Sequence, residues 1–232
     1  DVARAFADVE IVSIDSMQVY RGLDIGTAKP TVAEQAEVRH HLIDLVDPGE
    51  EFSVVDLQRA ATAALEDIAC RGKHALLVGG TGLYLRAVID GLDVPGQFPD
   101  ARRAIESEPD TDALLARLAA LDPVAAGRIV PGNRRRIVRA LEVTVGSGRP
   151  FSSFGPGLDT YPPSPVLQVG LDVPLAELDA RIERRVQAML EDGLLEEVRA
   201  LQGRPLSRTA SVALGYRELG EHLAGERSLE DA

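Results

Sequence analysis

Cysteine, tryptophan and long apolar runs are what this 232-residue sequence has least of. Its single cysteine, Cys70, excludes a disulfide within the chain and suits a reducing compartment, so we predict a cytoplasmic location. Cys70 itself follows an apolar run and is predicted to be a small core residue. No apolar stretch approaches the roughly 18 residues of a membrane-spanning helix, so no membrane partner is expected.

Positive charge is also scarce, because the formal net charge is -12. Taken alone, this balance argues against a protein that binds nucleic acid. The distribution of charge differs from the total, however. Residues 128–149 contain one acid, Glu142, and six arginines, at positions 128, 134, 135, 136, 139 and 149. The sequence therefore allows a local basic surface on an acidic protein.

Three short apolar runs predict the strands of a sheet, at residues 10–15, 41–46 and 75–78. Before the third run, Ser53 is a suitable N-cap for a helix from Val54 to about Arg71, which Gly72 would end. A further helix is predicted to start near Leu83. This alternation predicts a parallel sheet with crossover helices.

The pattern changes twice along the chain, which predicts a helical insertion in the α/β fold. Gly and Pro mark a break at 95–99, and residues 101–145 have helical spacing without a convincing strand. After a second break at 146–165, a strand is predicted at 166–171 and a long amphipathic helix at about 175–202. The predicted segments are the first part of the α/β core (1–95), the helical insertion (96–148), and the return to the core with long C-terminal helices (149–232).

The densest motif is Asp15-Ser-Met-Gln-Val-Tyr-Arg-Gly-Leu-Asp-Ile-Gly-Thr-Ala-Lys-Pro30. Asp15 stands at the carboxyl end of the first predicted strand, which is the edge where open α/β sheets bind ligands. A carboxylate there can act as a general base, hold a metal or cap the next turn, and spacing alone does not decide between these roles. Arg21 and Lys29 bring positive charge to the same stretch.

A second motif, Gly79-Gly-Thr-Gly-Leu-Tyr84, follows the third predicted strand. Glycines between a strand and a helix let backbone N–H groups approach an anion, and Thr81 adds a hydroxyl. A tight turn without function would have the same composition.

Arginine carries the remaining motifs. In Asn133-Arg-Arg-Arg-Ile-Val-Arg-Ala-Leu-Glu-Val143, Arg135 and Arg139 are four residues apart and share a helix face that suits phosphates. A solvated face with an Arg139–Glu142 salt bridge is the alternative. Arg217, in Ala213-Leu-Gly-Tyr-Arg-Glu218, could bind a pyrophosphate or pair with a carboxylate. The four histidines lack metal-ligand spacing, so no zinc site is expected.

Together these motifs resemble the tRNA dimethylallyltransferase family, also called tRNA isopentenyltransferases. The matching segments are 15–30, 40–44, 78–84, 136–143 and 214–218. The resemblance extends from about residue 1 to the end of the chain. It implies an α/β fold with a parallel sheet like that of a P-loop nucleotide kinase, an inserted helical domain, and nucleotide (ATP) binding.

The resemblance also implies an activity: transfer of the dimethylallyl group of dimethylallyl diphosphate to the exocyclic amine of adenosine 37 in the tRNA anticodon stem-loop. Mg²⁺ is expected to assist the pyrophosphate, and a monomer is expected. By resemblance, Asp15 is the general base and Thr81 lies at the reaction centre. Contacts with tRNA are implied for both, and for Ser16, Met17, Gln18, Arg102, Arg135, Arg136, Ile137, Val138 and Arg139. Lys29 and Arg217 are the candidates for diphosphate binding, and no residue is assigned as a metal ligand.

The sequence departs from the family pattern at three places. It contains no Gly-x-x-x-x-Gly-Lys-Ser/Thr loop, no basic C-terminal segment, and a shorter insertion than family members carry. Because the strand before that loop would be central in the sheet, we expect that the natural molecule has residues beyond this sequence or is altered there.

Three other functions stay open on the residues alone. A P-loop small-molecule kinase would share the sheet and the Asp at a strand end. An adenylate isopentenyltransferase would share the prenyl chemistry, although the helical insertion and the arginine cluster favour tRNA. A tRNA-binding module without catalysis would fit the absence of the phosphate loop.

Overall fold

The computed structural model describes residues 1–155 and 162–232. The chain divides into two compact units, one formed by Asp1–Val88 with Val166–Ala232 and the other by Ile89–Pro165. These limits differ from the predicted 95/96 and 148/149. Part of the predicted break at 146–165, residues 156–161, lies outside the described residues.

The first unit is built on a three-stranded parallel sheet in the order β2-β1-β3. Its strands are β1 (Val9–Ser13), β2 (His40–His41) and β3 (His74–Val78). In the described residues of this unit, the helices are α1 (Val32–Glu37), α2 (Val54–Cys70), α3 (Gly82–Ile89), α8 (Leu175–Glu191), α9 (Leu194–Leu201) and α10 (Tyr216–Leu223). Ile11 of the central strand aligns with His40 on one side and Leu76 on the other. The predicted α/β fold with a parallel sheet is confirmed.

The crossover helix α2 begins and ends where the sequence predicts. Ser53 caps it by accepting from Asp56 N, and the Asp56 side chain accepts from Ser53 N in return. Gly72 follows with φ +68°, a conformation that only glycine adopts at little cost. Cys70, predicted as a core residue, is exposed in the last turn of α2, so that prediction was wrong.

The second predicted strand is mostly wrong, since only His40–His41 pair with β1. Leu42 and Asp44 both have positive φ, at 64° and 54°, which turns the chain out of the strand conformation. A single bridge then joins Val46 to Tyr20. The apolar pattern of 41–46 therefore belongs to a partly buried turn beside the sheet, in which Leu42 is the buried residue.

Two predictions in the C-terminal part also fail. Residues 166–171 form no strand, and Leu167, Val169 and Leu171 are exposed. The helix predicted over 175–202 is broken at Gly193, whose φ of 102° ends one helix and allows α9 to start in a new direction. A periodic apolar pattern does not reveal such a break when the residues on both sides keep helical spacing.

The second unit is helical, as predicted. In its described residues the helices are α4 (Pro99–Glu106), α5 (Thr111–Leu121), α6 (Pro123–Arg128) and α7 (Arg134–Ser147). Leu114 and Leu118 of α5 pack with Ile137 and Leu141 of α7 in a core of its own. Gly148, with φ +70°, ends α7.

Candidate functional site

The carboxyl ends of β1 and β3 form the edge at which the predicted catalytic residues lie. Ile14 N donates to Val78 O at 2.7 Å, which extends the pairing of the two strands. Gly79 follows so closely that a Cβ on it would lie 2.2 Å from Ile14 O, so no other residue fits. Asp15 comes directly after Ile14, and Thr81 comes two residues after Gly79. The pairing of two adjacent strands thus brings both residues to one edge of the sheet.

Asp15 is held on one side and open on the other. Its Oδ1 accepts from Met17 N at 2.7 Å and from Gln18 N at 3.2 Å. Oδ2 has no hydrogen-bond partner in the described residues 1–155 and 162–232. The turn-capping role that the sequence allowed is therefore observed. The open oxygen leaves the carboxylate able to accept a proton as well.

Thr81 lies at the start of α3, where its carbonyl accepts from Leu85 N at 3.0 Å. Its hydroxyl has no partner among the residues that the structure describes. Tyr84, one turn later, is buried, and this burial raises its pKa, helped by the negative potential of Tyr20, Asp56 and Asp15. Its phenol stays neutral at the pH of a cell.

Gln18 joins the two ends of the loop 15–30. Its Oε1 accepts from Ser13 Oγ at 2.8 Å, and its Nε2 donates to the carbonyls of Thr27 and Ala28 at 3.1 and 3.2 Å. Met17 packs against the core of the first unit. Ser16 and Met17 are partly buried, so the stretch predicted to contact tRNA is part of the folded loop.

The structure gives Lys29 a different role from the predicted one. Its side chain is 3% exposed, and its Nζ donates to Tyr20 O at 2.7 Å, to Asp24 at 2.5 Å and to Asp44 at 2.6 Å. All three ammonium protons are engaged, which leaves none for a diphosphate. This packing favours a structural role for Lys29, and its place in the diphosphate site stays a prediction.

Arg217 remains available. It lies in the first turn of α10 with its side chain 67% exposed, and it pairs with Glu218 at 2.6 Å and Glu221 at 3.8 Å. The bond to Glu218 raises the pKa of Arg217, so its charge is permanent. Exposed ion pairs of this kind contribute little, so a phosphate can displace them.

Two of the arginines predicted to bind tRNA are engaged within the helical unit. The buried Glu142 carboxylate accepts from Arg139 at 2.8 Å and from Phe98 N at 2.9 Å, and Arg102 lies 3.2 Å away. Arg139 also donates to Pro95 O at 2.8 Å. The Arg139–Glu142 salt bridge of the alternative is observed, but the face is not solvated, because Glu142 is buried. Sequence reasoning missed Glu142 as the centre of this network because nothing in the pattern indicates that it is buried.

The other residues of the segment divide by exposure. Ile137 and Val138 have buried side chains, so a direct contact of these side chains with tRNA is incompatible with this packing. Arg135 and Arg136 are exposed, and neither has an ion pair within the described part of the chain. They are the two guanidinium groups of this helix that are free to meet a phosphate.

A magnesium ion has few protein ligands to choose from. No group of three or more His, Cys, Asp or Glu side chains that could hold a metal occurs in the described residues. Mg²⁺ in phosphate chemistry keeps several waters and takes one or two protein oxygens besides the phosphates. The Thr81 hydroxyl at the strand edge can supply one such oxygen, so the residues present fit an ion that arrives with a diphosphate and keeps its waters.

The comparisons with known proteins show the family of this chain. A family model described as IPP transferase matches residues 18–232. The chain belongs to the IPP transferase family. A tRNA dimethylallyltransferase of Roseiflexus castenholzii is 52% identical over 241 residues, which cover 100% of this chain and 77% of that enzyme.

Solved structures of IPP transferases have the same fold. The tRNA isopentenylpyrophosphate transferase of Bacillus halodurans is 41% identical with a TM-score of 0.62, over 95% of this chain and 71% of that protein. A eukaryotic dimethylallyltransferase described as acting on tRNA is 28% identical with a TM-score of 0.68, over 86% and 50%. The predicted family and enzyme class are confirmed, since these relatives are named as prenyl-group transferases of tRNA and not as kinases or adenylate prenyltransferases. Across the described ranges, no helix is both long and apolar enough to cross a membrane.

Proposed function

We propose that this protein transfers the dimethylallyl group of dimethylallyl diphosphate to the exocyclic amine of adenosine 37 in the tRNA anticodon stem-loop, in the cytoplasm. The observation that carries the proposal is the half-held carboxylate of Asp15 on the strand edge that also presents the Thr81 hydroxyl. Family membership supports the same activity, because the named relatives are tRNA dimethylallyltransferases.

The site supports a simple sequence of bond changes. The bond from the allylic carbon to the diphosphate oxygen breaks, and its electron pair leaves with the diphosphate. The amine nitrogen of the adenine bonds to that carbon, and one amine proton passes to the open oxygen of Asp15. The backbone N–H groups of Met17 and Gln18 fix the carboxylate, so its Oδ2 points in one direction throughout.

Charge on the leaving group needs neutralisation. Arg217 is the chain's own candidate for this role, since its guanidinium is exposed and its ion pairs with Glu218 and Glu221 lie at the surface. A magnesium ion, when bound, would supply further charge neutralisation on the diphosphate. The target base must leave its stack to reach the sheet edge, which is usual for chemistry on a base.

Binding of the tRNA backbone falls to the helical unit. Arg135 and Arg136 offer two exposed guanidinium groups for phosphates. Arg139 and Arg102 bind Glu142 and so hold α7, the helix that carries Arg135 and Arg136. The monomer predicted from the sequence stays a proposal.

The test uses the full-length protein with dimethylallyl diphosphate, Mg²⁺ and an anticodon stem-loop that contains adenosine 37, followed by mass spectrometry of the digested nucleosides. The expected product is isopentenyladenosine at that position. AMP and ATP in parallel reactions separate the alternatives: prenylated AMP with an untouched stem-loop would indicate an adenylate prenyltransferase. Phosphate transfer from ATP without prenyl transfer would indicate a kinase.

A further inference from the structure

Glu197 is a carboxylate outside every motif of the sequence, yet four donors converge on it. Its Oε2 accepts from Asp24 N and Ile25 N, both at 2.9 Å. Its Oε1 accepts from Gly26 N at 3.2 Å and from the hydroxyl of Tyr216 at 2.5 Å. Helix α9 thus binds three successive backbone N–H groups of a loop that lies more than 170 residues earlier in the sequence.

Only a carboxylate at the end of a side chain as long as that of glutamate suits the four donors. Two oxygens with four lone-pair sites match four N–H and O–H groups without a proton of their own. An amide in the same place would turn an N–H₂ group toward backbone N–H donors. The packing is equally selective, because a Cβ on Gly26 would lie 2.5 Å from the Tyr216 ring.

Tyr216 completes this cluster, which we call the Glu197 clamp (Glu197, Tyr216 and the backbone of 24–26). Burial of the phenol and its bond to Glu197 raise the pKa of Tyr216 well above its usual range. The hydroxyl therefore stays protonated and continues to donate. Charge-assisted hydrogen bonds of this kind are among the stronger ones in proteins.

A short line of contacts joins the clamp to Asp15. Directly after the clamped residues, the carbonyls of Thr27 and Ala28 accept from the Gln18 side chain at 3.1 and 3.2 Å. The backbone N–H of Gln18 then donates to Asp15 Oδ1 at 3.2 Å. If residues 24–26 loosen, the carbonyls of Thr27 and Ala28 no longer hold the Gln18 side chain. The turn that orients Asp15 then loses its support.

We propose that Glu197 is a positioning residue of the prenyl transfer, which holds the loop 24–28 and, through Gln18, keeps Asp15 aimed at its substrate. The inference rests on the proposed function. It assigns Glu197 no contact with substrate. Glu197 affects the geometry of the site, so its loss should lower the rate of the bound complex and leave the binding of dimethylallyl diphosphate unchanged.

The experiment compares Glu197→Gln with Glu196→Gln in the full-length protein. The control removes the same charge one residue earlier on α9, where Glu196 is exposed and, among the described residues, has Arg199 at 3.3 Å as its one ion-pair partner. For E197Q we expect kcat to fall by about tenfold to a hundredfold with an unchanged KM for dimethylallyl diphosphate. Amide hydrogen exchange at residues 24–28 should accelerate in E197Q and match the parent in E196Q.

A milder variant guards against loss of folding. Tyr216→Phe removes one donor and keeps the ring against Gly26, so kcat should fall by about two- to tenfold while the protein still folds, with a modestly lower unfolding temperature. If E197Q does not fold, the same decrease in Y216F supports the positioning role, and an unchanged kcat overturns it.

The remaining outcomes separate this inference from the proposed function. Faster exchange at 24–28 with an unchanged kcat would overturn the positioning role and leave the enzyme intact. A fall in kcat without any change in exchange at 24–28 would also overturn it. A parent protein that makes no isopentenyladenosine would overturn the proposed function and the role of Glu197 in it.

Discussion

At the scale of single residues, the site depends on which polar groups are already engaged. Asp15 keeps one free oxygen, whereas Lys29 has no free proton and Arg139 is held by Glu142. Residue type alone suggests all three as binding or catalytic groups. The number of lone pairs or protons left over after folding decides which of them can act on a substrate.

The substitution Asp15→Asn tests the proposed base. The side-chain oxygen of the introduced asparagine can still accept from Met17 N and Gln18 N, but the amide cannot take a proton. We expect turnover to fall by about 10²- to 10⁴-fold while the affinity for the stem-loop changes little. Single-turnover kinetics and a filter-binding titration measure the two quantities. Parent-like turnover would exclude Asp15 as the base.

The substitution Lys29→Met tests the structural role of the buried ammonium. Methionine fills a similar space, but it leaves Asp24, Asp44 and Tyr20 O without their shared donor. The free energy of unfolding should fall by about 1.5–3 kcal/mol. Urea denaturation provides the measurement, and Arg199→Met, on an exposed pair, should change it by less than about 0.5 kcal/mol. A stable K29M with weakened diphosphate binding would instead restore the role predicted from sequence.

At the scale of elements, one buried charge ties the sheet to its crossover helix. Glu10 of β1 is 2% exposed and bonds with Arg71 after α2, with His41 of β2 at 2.7 Å and with Lys73 before β3 at 3.1 Å. The bond to Arg71, with those to His41 and Lys73, holds the pKa of Glu10 far below its usual range, against the opposing effect of burial. The network therefore includes a residue on β1 (Glu10), one on β2 (His41) and one directly before β3 (Lys73).

The lowered pKa of Glu10 makes the stabilisation from this network dependent on pH. Above about pH 4.3 the carboxylate is ionised in both the folded and the unfolded chain, and its full stabilisation is present. As the pH falls below that value, the unfolded chain takes up a proton that the folded protein does not bind, so this stabilisation decreases.

Glu10→Gln should therefore be less stable than the parent at pH 7, with a difference that narrows toward pH 3. Urea midpoints at both pH values measure it, and Glu37→Gln on the surface is the control. A difference independent of pH would show that the network acts through shape rather than charge.

At the scale of the whole molecule, the chain combines a net charge of -12 with a proposed nucleic-acid surface. A negative net charge does not prevent nucleic-acid binding when the cations are grouped, because salt screens the interaction between exposed charges beyond about 8–10 Å. The folded helical unit leaves Arg135 and Arg136 exposed and engages Arg134, whose guanidinium donates to the carbonyls of Glu106 and Pro109.

The double variant Arg135→Ala with Arg136→Ala should weaken binding of the stem-loop and reduce the slope of log K against log salt by about two. Titrations at several salt concentrations measure the slope. Arg103→Ala with Arg117→Ala, two exposed arginines of the same unit, removes equal charge outside α7 and serves as the control. An unchanged slope would remove α7 from the tRNA interface.

The sequence by itself determined the features that depend on local patterns. The cap at Ser53 and the end at Gly72 followed from side-chain chemistry within a few residues, and so did the alternation of β1, α2 and β3. The motif at 15–30 carried much of the family resemblance because its residue types and order agree at fifteen of sixteen positions. The positions of Asp15 and Thr81 follow from the order of the elements. Each residue comes after a strand, and neighbouring parallel strands end at the same edge of the sheet.

Only the tertiary structure decided where distant groups meet. The strand predicted at 41–46 is a turn in which Asp44 meets Lys29. The helix predicted over 175–202 is broken before α9, whose Glu197 bonds to residues 24–26. Glu142 and Glu197 are indistinguishable from ordinary helix acids in the sequence; the burial of Glu142 and the donors around both carboxylates are known only from the structure. Contacts between residues far apart in sequence are set by the packing of whole elements, and no local periodicity records them.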